Sequence, residues 1–152
     1  MPENRAFVSS DMLFCQQCPP CIHAAFQDID CNPLLVMCSS DDHRSLAAFD
    51  FGNWQPYMME AVHLRPHLIH GNLRHRRCTE LLTVLSGALD MYLLCGCTRR
   101  HVFRRRMEAS DSVYLPPGTG HAFHALSALA VISIFIDDDP RMDREPVRLI
   151  HL

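Results

Sequence analysis

At 152 residues and 17.4 kDa, the chain can enclose one hydrophobic core and is too short for two ordinary domains. Its net charge of -3 gives no general attraction for nucleic acid, and no window approaches the apolar run that a membrane-spanning helix needs, so neither partner is expected. All fourteen basic residues are arginine, which excludes Schiff-base chemistry and any mechanism that depends on a lysine acid or base.

The first ten residues carry no basic stretch followed by an apolar one, so a cytoplasmic location is the expectation. Residues 1–44 differ in composition from the rest and hold five of the eight cysteines, which in a reducing compartment point to thiols or metal ligands ahead of disulfides. The densest part runs Cys15, Cys18, Cys21, His23, with Cys31 and Cys38 further on. Two overlapping C-x-x-C units can chelate a tetrahedral ion, with His23 or Cys31 completing the set. Cys18 and Cys21 also have the spacing of a redox pair, and unligated thiols in an arm are the third reading. Within this arm, residues 33–38 form a short apolar run that suits a strand.

From residue 45 the pattern is one of strands and turns, with little sign of an amphipathic helix. Residues 61–70 alternate, so a regular strand would set His63, Arg65 and His67 on one face, with Pro66 making it an edge or irregular strand. Residues 80–86 are apolar on both faces and stop at Gly87; residues 88–95 then run to Gly96, and the two together predict a buried hairpin. Further strands are expected over 99–107, 111–115, 121–125 and 130–136, the third of these following a Pro116-Pro117-Gly118 turn. Asp137 to Pro140 ends the series. Tyr92 and Phe123 are expected in the core, and Trp54 and Tyr57 at the domain's edge. Six to nine short strands at regular spacing imply an all-β sandwich or barrel.

Ten histidines are many for this length, and His63, His67, His70 and His75 fall within thirteen residues. Two segments give some of them a context. In the first, Gly71, His75, Glu80 and Gly87 stand in that order with six residues between the last two; in the second, Pro116 and Gly118 precede His121. These segments resemble the two sequence motifs of the cupins, over roughly residues 60–136. The resemblance implies a small jelly-roll β-barrel at residues 45–140, preceded by the cysteine-rich arm at 1–44 and followed by a tail at 141–152. It also implies a homodimer and a divalent metal ion such as zinc, iron, manganese or nickel. Carried over residue by residue, the ligands are His75, Glu80 and His121. The family's remaining histidine falls at Leu73, and the asparagine that closes its second motif falls at Ala125. His70, His67 or Cys78 could stand in for the missing ligand, and spacing selects none of them.

Within the cupins, Gly71-Asn72 followed by His75, Thr79 and Glu80 is similar to the cupin domain of capsular-sugar biosynthesis proteins. The run from Tyr114 through His121 to Phe123 is similar to the 3,5-epimerases of deoxysugar nucleotides. Proton abstraction beside a keto group needs a base active near neutral pH and a donor for the enolate. The position of the epimerase base is Leu73, and the assisting lysine is absent. The chemistry would then fall to His63, His67 or His75, with Arg65 holding a phosphate or carboxylate of a small-molecule ligand. The leading expectation is an isomerase or epimerase acting on a carbohydrate or related polar metabolite. A barrel that binds ligand without turnover and a metal-dependent dioxygenase are the alternatives.

Overall fold

Strand periodicity carries the architecture. In a computed structural model, residues 5–8, 13–15, 34–40, 42, 45–51, 55–94 and 101–152 are described. The strands in chain order are β1 (Phe7–Val8), β2 (Leu13–Cys15), β3 (Leu34–Ser40), β4 (Ser45–Asp50), β5 (Pro56–Leu64), β6 (Ile69–His75) and β7 (Thr79–Ser86). They continue with β8 (Ala88–Leu94), β9 (His101–Glu108), β10 (Ser112–Leu115), β11 (Gly120–Ala125), β12 (Leu129–Ile136), β13 (Arg144–Pro146) and β14 (Ile150–His151). A 3₁₀ turn over Pro140–Met142 joins β12 to β13. The cysteine cluster of the arm, the side chain of Cys15 included, and Trp54 lie outside the described residues.

Two sheets face each other. One has the order β10-β7-β12-β5 and the other β13-β6-β11-β8-β9-β2. Every pairing within them is antiparallel except β2 with β9, which is parallel. Alternate residues of each strand fill the space between: Leu89, Met91 and Leu93 of β8 meet Leu82 and Val84 of β7, with Phe123, Val113 and Val131 completing the packing. Each such side chain, taken fully from water, contributes roughly 1.5–3 kcal/mol. The opposite parity of β8 is also covered. Tyr92 and Leu94 join Val102, Ala122, Leu149 and Ile150 in a second apolar cluster on the outer face of the six-stranded sheet. Both Tyr92 and Phe123 are therefore buried, as the sequence suggests. The β3–β4 hairpin lies against β7.

The stretch expected as one alternating strand over 61–70 is two strands on different sheets. Backbone pairing of β5 ends at Leu64, and a turn at Pro66–His67 leads into β6. Pro66 has no N–H for a ladder, and His67 takes φ 70°, a left-handed conformation that breaks an extended run.

Close approach of β6 to β11 depends on Gly71. At φ 104° its backbone passes so near that a Cβ would lie 2.8 Å from the His121 carbonyl oxygen and 2.9 Å from Ala122 Cα. Asn72 follows at φ 57°, and the register slips there, with His121 opposite Leu73 but Ala122 opposite Gly71. This is a β-bulge. It turns the Asn72 side chain outward, where Oδ1 accepts from the N–H groups of Leu149 and Ile150 and Nδ2 donates to the Ile150 carbonyl.

Gly87 closes the β7–β8 hairpin at φ 83°, and a Cβ there would collide with the Ala128 carbonyl oxygen. Left-handed strain and backbone overlap together predict that Gly87→Ala loses about 2–4 kcal/mol of stability. Urea denaturation reads this directly, and a change below about 0.5 kcal/mol, the range of an ordinary surface substitution, would contradict it.

Candidate functional site

Three side chains converge between the sheets. Glu80 points inward from β7, in step with Leu82 and Val84; His75 ends β6, and His121 lies near the start of β11. All three are buried, and one ligand atom from each lies within 4.8 Å of the others. His121 Nε2 is 3.1 Å from Glu80 Oε2, and His75 Nε2 is 3.8 Å from the same oxygen. The approach is close but not well aligned, which leaves Glu80 Oε2 buried without a hydrogen-bond partner; His75 Nδ1 is likewise buried without one. The Thr119 carbonyl lies 3.3 Å from His121 Nδ1, and a proton on Nδ1 would leave the Nε2 lone pair directed at the site.

The electrostatics follow from this burial. Desolvation pushes the Glu80 carboxyl up, but the charge of His121 close beside it, the Ser133 hydroxyl and His75 together outweigh it and hold the group down at about 2. For His121, burial favours the neutral ring, while the Glu80 charge and the Thr119 carbonyl favour the imidazolium and win, raising its value. His75 goes the other way: desolvation dominates, and the ring is held below its ordinary range in spite of Glu80. The site thus contains an ionised acid, a basic imidazole and a neutral imidazole.

The bulge adds a neighbour that spacing alone does not select. His70 pairs with Phe123, and Leu73 with His121, so both share the inward face with His75 even though 70 and 75 differ in parity. The His70 ring lies 5.2 Å from that of Phe123, and burial lowers its value while the charges of Glu60, Glu80, His121 and Arg144 act on it. Arg144 approaches Glu60 at 3.6 Å. Phe135 completes the wall, with its ring edge-on to His75 at 5.3 Å.

Of the residues named from sequence, His75, Glu80 and His121 come together. His63, Arg65 and His67 do not join them. His63 stands on the exposed side of β5, Arg65 is exposed just past its end, and His67 lies in the turn beside His124, with rings 6.2 Å apart. Cys78 forms a separate buried group with His75 and Asp143, in which Sγ donates to the Asp138 carbonyl. Burial, with Asp143 beside it, pushes the thiol up to about 12, so it stays protonated. Asp143 itself accepts from the backbone N–H groups of Arg77 and Cys78, pinning the loop between His75 and Glu80.

The cupin family model matches residues 54–147, more than half of the chain and all three converging residues. The chain is a cupin. Among solved structures it is similar to a 3,4-ketoisomerase from Helicobacter canadensis, at 13% identity and TM-score 0.59, over 78% of this chain and 91% of the other. It is also similar to QdtA, a sugar 3,4-ketoisomerase from Thermoanaerobacterium thermosaccharolyticum (11% identity, TM-score 0.55, 73% and 83% covered). A third likeness is to the capsular polysaccharide assembling protein CapF of Staphylococcus aureus (18% identity, TM-score 0.55), where the match spans 74% of this cupin and 34% of that protein. At these identities the likeness is one of fold. Comparison with curated protein sequences finds no match.

The site's titrations have opposite signs. Glu80 is depressed, so its contribution to stability is complete above its ordinary 4.5 and is lost as pH falls toward about 2. His75 and His70 are also depressed, so theirs is lost as pH falls below 6.5. His121 is raised, so its contribution is complete below 6.5 and is lost as pH rises through the raised value. The metal-free cupin should therefore melt highest near pH 6.5, the ordinary histidine value about which these shifts diverge. Glu80→Gln should abolish the decline between pH 6.5 and 9, above which the raised Cys78 thiol adds a loss of its own. An alkaline limb that is unchanged in Glu80→Gln, read by calorimetry in chelator-treated buffer, would contradict the pairing.

Proposed function

We propose that this cupin isomerises a keto-sugar nucleotide, with a divalent metal ion held by His75, Glu80 and His121. The observation that carries the proposal is the convergence of two imidazole Nε2 atoms on a buried, ionised carboxylate oxygen that has no aligned donor. Two imidazoles and one carboxylate form a donor set common to zinc and non-haem iron sites, and the orphaned Oε2 is an acceptor waiting for a cation. The residues fit. Leu73 leaves the family's fourth ligand position apolar, which favours an open coordination sphere and weaker binding. A divalent ion bound there supplies positive charge for the oxygen that becomes anionic during reaction.

Isomerisation of a ketose removes a proton from the carbon beside the carbonyl and returns one to the former carbonyl carbon, passing through an enediol. A neutral base must face that carbon. His70 is our assignment for this role. It is neutral, it shares the inward face with the converging residues, and His75 is already engaged with Glu80. Arg144 and Glu60 flank it, and Arg144 is suited to an anionic part of the substrate. Phe123 and Phe135 border the site and limit water around it.

The fold likeness to QdtA, a protein described in complex with TDP-4-keto-6-deoxyglucose, supports that compound as the first to test. Leu73 favours a second reading, in which the barrel binds its ligand without turnover. We also propose a homodimer, for which the exposed outward row of Tyr57 and Met59 on the edge strand β5 is the candidate contact. No helix among the described residues is long and apolar enough to cross a membrane.

Two measurements test the main proposal. Protein purified without added metal should contain a divalent ion that His121→Ala loses; negligible metal in both would remove the metal from the proposal. In deuterated buffer, TDP-4-keto-6-deoxyglucose should gain solvent deuterium next to its carbonyl, and His70→Gln should slow this by about 100-fold or more, the usual contribution of a general base. Thermal stabilisation by the compound without any exchange would instead select the binding reading.

A further inference from the structure

His75 has two ring nitrogens, and the barrel site uses only one of them. Nε2 is the atom turned toward Glu80, 3.8 Å from Oε2. Nδ1 has no hydrogen-bond partner, although the residue is only 4% exposed. A buried ring nitrogen normally reaches a carbonyl, a carboxylate or a water, because leaving it unmet costs free energy.

A second group of ligand-type side chains adjoins the same ring. One atom each from His75, Cys78 and Asp143 lie within 4.8 Å of one another, and all three residues are buried. Two residues separate His75 from Cys78, the interval that lets two side chains of a short loop reach one tetrahedral ion. Asp143 follows the 3₁₀ turn after β12, and its Oδ2 accepts from the N–H groups of Arg77 and Cys78 at 2.7 and 2.8 Å. The carboxylate is thus oriented from within the chain. Its Oδ1 lies 3.6 Å from Arg77 Nε, whose nearer partner is Asp138 at 2.9 Å. The Asp138 carbonyl, 3.1 Å from Cys78 Sγ, offers a fourth oxygen. Tetrahedral zinc holds its ligand atoms about 3.4–3.8 Å apart, so small side-chain rotations would bring these onto one ion.

The surroundings admit a cation. Asp143 shares the wall of a cavity of about 520 Å³ with Arg76, Arg77, Met142 and Arg144. These arginines are all matched: Arg74 and Arg76 bond to Glu145, Arg77 faces Asp138 and Asp143, and Arg144 approaches Glu60. Four guanidinium groups against four carboxylates leave no excess of either sign among them.

We propose that His75 Nδ1, Cys78 Sγ and the Asp143 carboxylate form a metal site separate from the barrel's, for zinc or a similarly thiophilic divalent ion. One nitrogen, one sulfur and one oxygen donor suit such an ion better than magnesium or calcium, which take oxygen alone. Cys78 gives up its thiol proton to solvent on binding, so the site fills as free zinc is raised. The ion would tie the end of β6 and the loop before β7 to the connection between β12 and β13. A neutral imidazole has one lone pair, so an ion on Nδ1 leaves the ring proton on Nε2, facing Glu80. His75 therefore serves either this ion or the barrel ion, and the two are told apart by which nitrogen is bound.

Cadmium NMR of the reduced, isotope-labelled full chain tests this, because coupling to the ion identifies each ligand atom and distinguishes Cys78 from the cysteines of the arm. Added cadmium should split the His75 Nδ1 resonance and couple to the Cys78 β-protons, and zinc should displace it. In His121→Ala, where no complete barrel site competes, the splitting should be as large or larger. Cys78→Ser should weaken zinc binding at Nδ1 by about 100-fold or more, since even groups that only orient metal ligands are worth about 10–100-fold. Should that variant not fold, the couplings in the unaltered chain decide the question by themselves. The proposal is overturned if neither the unaltered chain nor His121→Ala shows coupling at Nδ1, whether cadmium then sits on His75 Nε2 and His121, which would uphold the barrel ion, or on the arm thiols alone. It is overturned as well if Nδ1 couples and Cys78 does not.

Discussion

The bulge at Gly71–Asn72 decides which side chains of β6 reach the interior, and most of the site depends on it. In a regular strand His70 and His75 would fall on opposite faces. With one extra residue inserted, His70, Leu73 and His75 all face the core, while Asn72 turns out and holds the chain end at Leu149 and Ile150. Only glycine fits at residue 71, because the β11 backbone occupies the space of a Cβ. Local backbone geometry thus links three things that seem unrelated in sequence: a histidine outside the family's motif, a leucine where a ligand belongs, and the anchoring of the C-terminal strands.

Electrostatics then differentiates the histidines. Glu80 is the only buried carboxylate among the three converging residues, and its charge is shared unequally. His121, nearer and bonded at its other nitrogen to a carbonyl, gains enough to become the better proton acceptor; His75, at 3.8 Å, does not overcome its own desolvation. Such an arrangement holds together without a metal through one ion pair. The same three side chains are those proposed to hold a divalent ion, and a cation held by them would compete with the His121 proton and give Oε2 a partner. Leu73 limits how strongly that can happen, because a methyl-terminated side chain offers no lone pair.

The family resemblance carried by His75, Glu80, Gly87 and the Pro-Pro-Gly turn before His121 was enough to imply the cupin fold and to bring His75, Glu80 and His121 into one site, since the motifs that carry it are local. Other features depend on where strands break. Alternation over 61–70 suggested that His63, Arg65 and His67 share a cavity; the chain instead changes sheets at Pro66–His67, leaving these three away from His75. His70 could be listed among substitutes but not chosen, because a bulge shifts parity and a glycine followed by asparagine announces that only weakly. Arg144, Glu60 and Phe135 reach the site from strands distant in sequence, and no spacing rule relates them to His75.

Strand β11 shows how much one period-2 element can carry. Its inward residues, His121 and Phe123, belong to the barrel site, and its outward residues, Ala122 and His124, to the covered outer face. Both histidines are 4% exposed, yet they titrate in opposite directions. The difference lies in their acidic neighbours. Glu80 Oε2 approaches the His121 ring to 3.1 Å and its charge outweighs the cost of burying that ring, whereas the charge of Asp90, which is paired with Arg104, does not outweigh the burial of His124. Burial alone therefore does not set the state of an imidazole. What matters is whether the nearest carboxylate is free to face it, and in this chain a single strand presents both outcomes three residues apart.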